Sequence, residues 1–585
     1  MSEQIRYSLP WTETNSSVNN EKSRNSMSPQ GNLLPDDHIR PFSRGMIKLY
    51  GVWSVALLAT FMAGYGIGSM TAINAMPTYQ TSFNSDGKGV QSLNCGIMDK
   101  LVFSMWPIAA CAFFWLGPIL ADKLGRRGGM FVSSIVYILG TALNAFAKNF
   151  QWLLPGRFFL GAAVGLMQPA APPYVVELAP PLNRGVLTGK AYSIGMIHIT
   201  YDDNVDADHY HTRTTSFWLL GNAVATIVCI FTNEMDSNLA WRLPLIIQLA
   251  CPVIMASIVL FLPESPRWLF AHGKPEEAKR ILCKYHGNGS YTALVAKEMD
   301  QIAASLNIAP TKMFDYSTLA NTRGKAYRLM LAVLTGAAGQ MSGNTLMLFA
   351  PNLYKQVGMN GVRQQLIMTL IPTLIGLVFA MFGTYCTDKI GRRPVLMYGT
   401  FLCALFLALA MICSAITLKG ATTVSVNEYN DAAAKGTITS LILFYAVCGW
   451  AYIPMVAVYP SEVMSMEQRS TGMGLVVLAL NLCSVLGQLT TPIALQKIGW
   501  LTYLPWVCWD LIETGIWYLV AVETKGRTLE ELDAIFDSPN PVRASLIIAQ
   551  EVAIPNSEET GHGISLVSPS QLDRKASEAK TGEAQ

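Results

Sequence analysis

Apolar runs of about twenty residues recur along the chain, separated by short polar or Gly/Pro-rich breaks. Six fall near residues 50–73, 100–121, 129–147, 152–172, 214–232 and 241–262, and six more near 327–349, 363–386, 394–417, 438–459, 470–492 and 499–521. A hydrocarbon layer of ~30 Å is crossed by about 20 helical residues, and a helix satisfies its backbone groups internally where no water is present. The pattern therefore predicts an all-α membrane protein with twelve transmembrane helices. Between the two sets, residues 266–325 mix Lys274, Glu276, Glu277, Lys279, Arg280, Lys297 and Glu298 with short apolar groups, the signature of amphipathic helices outside the bilayer. The expected organisation is a six-helix half over 46–265, a cytosolic joining segment over 266–325, a second six-helix half over 326–522, and cytosolic tails at 1–45 and 523–585.

Composition agrees with that reading and narrows it. Of 585 residues 51% are hydrophobic and only 14% charged, with a mean hydropathy of +0.32. Soluble domains carry about 25% charged residues, so this chain lacks the charge to cover a globule in water. A net charge of +3 is too small to point to nucleic acid. The first 45 residues are polar, Ser/Asn-rich and interrupted by Pro10, Pro29, Pro35 and Pro41, which reads as a disordered tail rather than a cleavable signal. The cysteines fall mostly inside the apolar runs, at spacings that fit neither a metal site nor a disulfide framework, so no metal or cofactor is expected.

Basic residues mark one face. Asp122-Lys123-Leu124-Gly125-Arg126-Arg127 lies between spans 2 and 3, and Asp388-Lys389-Ile390-Gly391-Arg392-Arg393 between spans 8 and 9. Positive residues concentrate on the cytoplasmic side of membrane proteins. With both termini inside, Arg184, Arg267, Arg469, Lys525 and Arg527 fall on the same side. The two loops are also an internal repeat, beginning at Gly117 and Gly383. Tyr174, Glu177 and Arg184 recur in the same spacing at Tyr459, Glu462 and Arg469. Two unrelated motifs repeating in order imply two parallel six-helix repeats, a transporter plan in which substrate sits between the halves.

These residues resemble the sugar porter family of the major facilitator superfamily, and within it the fungal lactose and hexose permeases. The resemblance covers roughly residues 46 to 535. Besides the two Asp-Lys-x-Gly-Arg-Arg loops it rests on Phe159-Leu160-Gly161-Ala162-Ala163-Val164-Gly165, on Pro263-Glu264-Ser265-Pro266-Arg267-Trp268-Leu269 after span 6, and on Val522-Glu523-Thr524-Lys525-Gly526-Arg527-Thr528 after span 12. It implies the major facilitator fold and uptake of a mono- or disaccharide by alternating access, with carbohydrate:proton symport as the expected coupling. A monomer in the plasma membrane, with sugar and lipid as its partners and protons as a candidate co-substrate, is the corresponding expectation.

Three groups of residues follow. Asp122, Arg126, Arg127, Glu177 and Arg184 in the first half, with Asp388, Arg392, Arg393, Glu462 and Arg469 in the second, are expected to pair across the seam and hold the inner side shut. Exposed pairs are worth only about 0.2–1 kcal/mol each, so such a latch needs several. For the sugar, which needs hydrogen-bonding groups and an aromatic face, the resemblance points to Gln340 and Asn344 on span 7, Trp450 on span 10 and Asn481 on span 11. For the proton, the chain departs from the family: where proton-coupled relatives carry Asp in span 1, it reads Gly64-Tyr65-Gly66-Ile67-Gly68. Asp510 and Glu513, three apart on span 12, are the acids found away from the span ends, and intramembrane acids mark function by default.

The segment 190–213 fits nothing around it. Gly185 and Gly221 stand 36 residues apart, far more than the family's connection between spans 4 and 5, and the extra piece contains Asp202, Asp203, Asp206, Asp208, His209 and His211. It is expected either to loop into the cytosol or to represent a translated intron. Its Asp and His residues are of types that ligate zinc, but nothing nearby organises a site. No nucleophile, phosphate loop or metal cluster suggests an enzyme. A facilitative uniporter, a non-transporting sugar sensor and a metabolite exporter remain open on the same fold.

Overall fold

A computed structural model describes residues 44–83, 93–179, 209–308, 319–423, 431–527 and 529–546. Its long helices are α1 (Arg44–Ile73), α2 (Leu93–Phe113 continued by Leu116–Lys123), α3 (Gly125–Ala145), α4 (Phe150–Met167, extended by Ala171–Glu177), α5 (His209–Thr232) and α6 (Leu239–Gln248 with Ala250–Val259). The second set is α7 (Arg323–Met341, then a 3₁₀ turn Asn344–Phe349 and Ala350–Gln356), α8 (Val362–Ile390), α9 (Arg392–Thr423), α10 (Asp431–Val463), α11 (Met466–Lys497) and α12 (Tyr503–Val520). No strand occurs among the described residues.

Eight of these helices are long and apolar enough to cross a membrane unaided, and α2, bent by 53° at its break, makes a ninth. The other three are interrupted or polar for physical reasons. In α5 the apolar stretch begins only at Phe217. In α7 the helix stops at Ser342-Gly343, and α12 carries two acids in eighteen residues. Together they complete twelve long helices in two sets of six among the described residues.

The packing repeats with the sequence. Helix α1 packs on α5, and α3 on α4 and α6; correspondingly α7 packs on α11, and α9 on α10 and α12. The halves meet through two crossings that are each other's image, α5 against α8 and α11 against α2. Small residues permit the closest approaches. A Cβ on Gly64 would stand 1.9 Å from the Trp218 carbonyl oxygen, and one on Gly221 2.3 Å from that of Phe61, so the α1–α5 crossing requires bare backbone on both helices.

Some boundaries differ from the sequence reading. The connection expected near 418–437 is largely helical, because α9 runs on to Thr423 and α10 begins at Asp431. The joining segment contains Pro266–Ala271, Pro275–Tyr285 and Ala293–Ile308, as its amphipathic pattern implied, and residues 529–537 form a further short helix. Ser265 caps the first of these by accepting from the Trp268 amide. Of the segment 190–213, residues 190–208 lie outside the described residues and 209–213 open α5.

Candidate functional site

Three constellations carry polar chemistry: paired clusters at one end of the halves, a cavity between them, and a buried acid pair behind the cavity.

The end clusters are built alike. Gly125 and Gly391 adopt positive φ (80° and 108°), which glycine tolerates without Cβ strain, and helices α3 and α9 start there. A helix start leaves amide hydrogens unpaired and carries partial positive charge. The Glu264 carboxylate, from the chain just beyond α6, accepts from the Arg126 and Arg127 amides at 3.0 and 3.4 Å. Glu523, just beyond α12, accepts from the Arg392 and Arg393 amides at 2.9 and 3.1 Å. The Arg126 guanidinium then forks onto Glu177 at 3.1 and 3.0 Å, and that of Arg392 onto Glu462 at 3.1 and 2.7 Å. Ser265 donates to Glu177 at 2.5 Å, and Thr524 to Glu462. Tyr174 and Tyr459 donate to the Pro263 and Val522 carbonyls.

These contacts correct one expectation. The pairs of Arg126, Arg127 and Arg392 with Glu177, Glu264 and Glu462 each join elements of a single half, not the two halves across the seam. Each glutamate sits on, or just past, a helix that already packs beside the arginine's own, so the partner within reach belongs to the same half. Asp122 acts electrostatically on Arg126, and its carbonyl accepts from Trp268 at 2.7 Å. Arg184 lies outside the described residues, as do the side chains of Asp388 and Arg469. Glu264 and Glu523, in the motifs after spans 6 and 12, are members to which the sequence alone assigns no role. Their signal was a Glu followed by Ser or Thr at the same place in each half.

Besides the two crossings, an ion pair and a ring contact join the halves toward the opposite end. Arg363 at the start of α8 reaches Glu234, between α5 and α6, at 2.9 Å. The rings of Phe103 on α2 and Phe349 on α7 lie 4.9 Å apart.

Between the halves lies a cavity. Gln340, Asn344 and Tyr354 of α7 line it with Ser484 and Gln488 of α11, Thr369 and Thr373 of α8, and Tyr445 of α10. Thr71 of α1 and Trp218 and Asn222 of α5 close the other side. Of the residues expected to bind sugar, Gln340 and Asn344 are therefore together in the cavity, whereas Trp450 and Asn481 are not among its lining. The Trp450 backbone packs on Gly383, and Asn481 donates to the Val477 carbonyl of its own helix at 2.8 Å. Two helical turns beyond Asn481, Gln488 takes the position facing the cavity. The 3.6-residue period of α11 could have suggested the choice among Asn481, Ser484 and Gln488, but not which face meets the seam.

Behind α7 sit Asp510 and Glu513, both fully buried. Glu513 accepts from the Tyr452 hydroxyl at 2.6 Å, the Trp509 and Trp517 indoles at 2.9 and 3.0 Å, and Ser342 at 3.3 Å. Among the described residues, neither carboxylate oxygen of Asp510 makes a well-formed hydrogen bond. In the first half, Gly66 is hemmed in: a Cβ there would stand 2.6 Å from the Tyr137 hydroxyl and 3.0 Å from Trp106. Arg157 of α4, 2% exposed, donates to the carbonyls of Val102 and Gly66 at 3.3 Å each and lies over the Trp106 ring.

Comparison with known proteins agrees with this architecture. The family described as "Sugar (and other) transporter" matches residues 52–196 and 211–536, and the unmatched 197–210 falls within the segment 190–213. The chain is 24% identical to a high-affinity glucose transporter of Kluyveromyces lactis, over 88% of its own length and 89% of the relative's. It is 26% identical to sugar transport protein 11 of Arabidopsis thaliana, with 82% and 90% covered. A major facilitator-type transporter of Aspergillus rugulosus is 25% identical, with 87% and 92% covered. Its fold superposes on the xylose transporter XylE from E. coli in a partially occluded inward-open conformation, with a TM-score of 0.63 at 19% identity over 82% of this chain and 99% of that one. With twelve helices in two matching sets, a polar cavity on the seam and a family match over most of its length, the chain belongs to the sugar porters of the major facilitator superfamily, multi-pass membrane carriers rather than enzymes.

Proposed function

We propose that the protein carries a mono- or disaccharide across the plasma membrane by alternating access, as a monomer with both termini in the cytosol, and that a proton accompanies the sugar. The observation that carries this reading is the cavity on the seam. It offers amides from Gln340, Asn344, Gln488 and Asn222, hydroxyls from Thr71, Thr369, Thr373 and Ser484, and aromatic rings from Trp218, Tyr354 and Tyr445. Neutral donors and acceptors with flat apolar faces match the alternating hydroxyls and C–H faces of a sugar ring, and among the described residues no charged side chain lines the cavity. The curated relatives named above as glucose and sugar transporters support the substrate class.

The end clusters fit the same mechanism in a revised role. Asp122, Arg126, Arg127, Glu177 and Glu264 tie the ends of α2, α3, α4 and α6 together, and Arg392, Arg393, Glu462 and Glu523 do so for the second half, where Asp388 holds the position in the motif that Asp122 holds in the first. Arg184 and Arg469 belong to the same repeated sequence motif as Glu177 and Glu462. Each half then rocks as one body about the α5–α8 and α2–α11 crossings. Contacts such as Arg363–Glu234 and Phe103–Phe349 close one side while the clustered ends part.

For the coupling ion, Asp510 and Glu513 are the candidates. A facilitative uniporter is the second reading, favoured by the packing around Gly66, which leaves no room for an acid beside Arg157. Uptake of a panel of labelled hexoses, pentoses and disaccharides into proteoliposomes, with and without a pH gradient, tests both. Accumulation above the external concentration that a protonophore abolishes supports symport. Equilibration alone supports the uniporter, and transport of none of the sugars defeats the proposal.

A further inference from the structure

We propose that Asp510 and Glu513 form a one-proton site in which Asp510 carries the exchangeable proton, and that Ser342 passes its occupancy to the sugar cavity through the break in α7. The inference rests on the transport reading above and deepens it by dividing the roles within the pair.

The two carboxyls lie one helical turn apart, both with no exposed surface, in unequal surroundings. Four donors converge on Glu513: Tyr452 from α10, Ser342 from α7, and Trp509 and Trp517 from its own helix. Hydrogen bonds to a carboxylate hold its charge in place. Among the described residues only the Ser342 hydroxyl, shared with Glu513, acts on Asp510, and neither Asp510 oxygen makes a well-formed hydrogen bond; a buried anion with so little support costs several kcal/mol. One negative charge on the pair therefore resides on Glu513, and Asp510 stands as the neutral acid. The other titratable groups facing the pair are the Cys403 thiol of α9, itself 3.7 Å from the Cys448 sulfur of α10, and the Tyr452 phenol. Among the described residues no basic side chain pairs with either carboxylate, so a proton is the available counter-charge. It arrives from water on one side, forming an O–H bond on Asp510, and leaves to water on the other.

The route to the sugar is short. Gln340 and Asn344 point into the cavity, and between them Ser342 is fully buried and directs its hydroxyl to Glu513 at 3.3 Å. The same hydroxyl hydrogen is shared with the Ala338 carbonyl at 2.8 Å, and the first segment of α7 ends just before Ser342, at Met341. Gly343 follows in the left-handed conformation, φ 80°, and the chain restarts as a 3₁₀ turn. A second negative charge on Asp510 repels Glu513 and disturbs the Ser342 contact, and the hinge that carries Asn344 moves with it.

The test uses purified full-length protein. In detergent, the pH dependence of tryptophan fluorescence reads the site directly, because Trp509 and Trp517 both bond Glu513. In proteoliposomes, the ratio of gradient-driven accumulation to zero-gradient exchange reads coupling. The wild type and the exposed-site control Ser257→Ala should show a fluorescence transition with pH. Asp510→Asn should remove it, Asp510→Glu should restore it, and Ser342→Ala should keep it. The accumulation ratio should fall about tenfold in Asp510→Asn and in Ser342→Ala, within the usual range of coupling factors. A transition that persists in Asp510→Asn overturns the proton assignment, and an unchanged ratio in Ser342→Ala overturns the transmission. Exchange without gradient-driven accumulation in the wild type also overturns the coupling role while leaving sugar transport standing. If no sugar is carried, the transport reading fails, and the fluorescence of Asp510→Asn still decides where the proton resides.

Discussion

The carboxylate of Glu523 fills the space that a side chain at Gly391 would need: a Cβ there would stand 2.6 Å from Oε2. The same relation holds between Glu264 and Gly125, at 2.3 Å. Glycine, arginine and glutamate in these motifs are thus one device, in which the bare α-carbon lets a remote carboxylate close over the start of a helix.

Gly391→Ala should therefore lose stability twice over. A non-glycine residue at φ 108° is strained by about 1–3 kcal/mol, and displacing Glu523 forfeits a helix cap worth about 1 kcal/mol. Thermal unfolding in detergent should show a clear drop in midpoint. A midpoint equal to wild type refutes the capping role.

Glu462→Gln and Glu234→Gln should differ sharply. Arg392 is almost fully buried, with a side chain 4% exposed, whereas Arg363 is 64% exposed. Removing one partner of a buried pair costs about 3–5 kcal/mol, and an exposed pair contributes at most about 1 kcal/mol. Folded yield and thermal midpoint should fall for Glu462→Gln and stay near wild type for Glu234→Gln.

Sugar affinity should follow the cavity and not the wider set of polar residues in the spans. Gln340→Ala, Asn344→Ala and Gln488→Ala each remove a cavity amide, and a hydrogen bond of about 0.5–1.5 kcal/mol corresponds to roughly a two- to tenfold rise in KM. Asn481→Ala, whose amide serves its own helix, should leave KM within twofold. Initial uptake rates across a range of sugar concentrations decide the order.

At Gly66 the prediction concerns packing. Gly66→Ala brings a methyl group within 2.6 Å of the Tyr137 hydroxyl, and overpacking costs about 1–3 kcal/mol. Adding Tyr137→Phe removes the clashing oxygen, so the double variant should regain part of that loss. Strict additivity of the two thermal shifts would show that the clash is absent.

The number of helices, their division into two sets and the repeated loops were legible in the residues alone. Burial of apolar runs in hydrocarbon is decided locally, residue by residue, and duplicated motifs keep their order along the chain. The amphipathic joining helices followed from the same pattern. Gln340 and Asn344 were found through resemblance, and the acid pair because charge inside an apolar run is conspicuous.

Tertiary structure decided the partners. That Arg126 meets Glu177, and Arg392 meets Glu462, within one half depends on which helices lie side by side. That Gln488, and not Asn481, faces the cavity depends on the rotation of α11 about its axis. The two carboxyls of α12 are three residues apart and alike in sequence. Only the arrival of Tyr452 from α10 and Ser342 from α7, with two indoles of α12 itself, gives Glu513 four donors and leaves Asp510 without a well-formed hydrogen bond among the described residues. Hydrophobic length and repetition are properties of consecutive residues, so sequence carries them; hydrogen bonds and ion pairs between helices act over a few ångströms and exist only once packing has brought distant positions together.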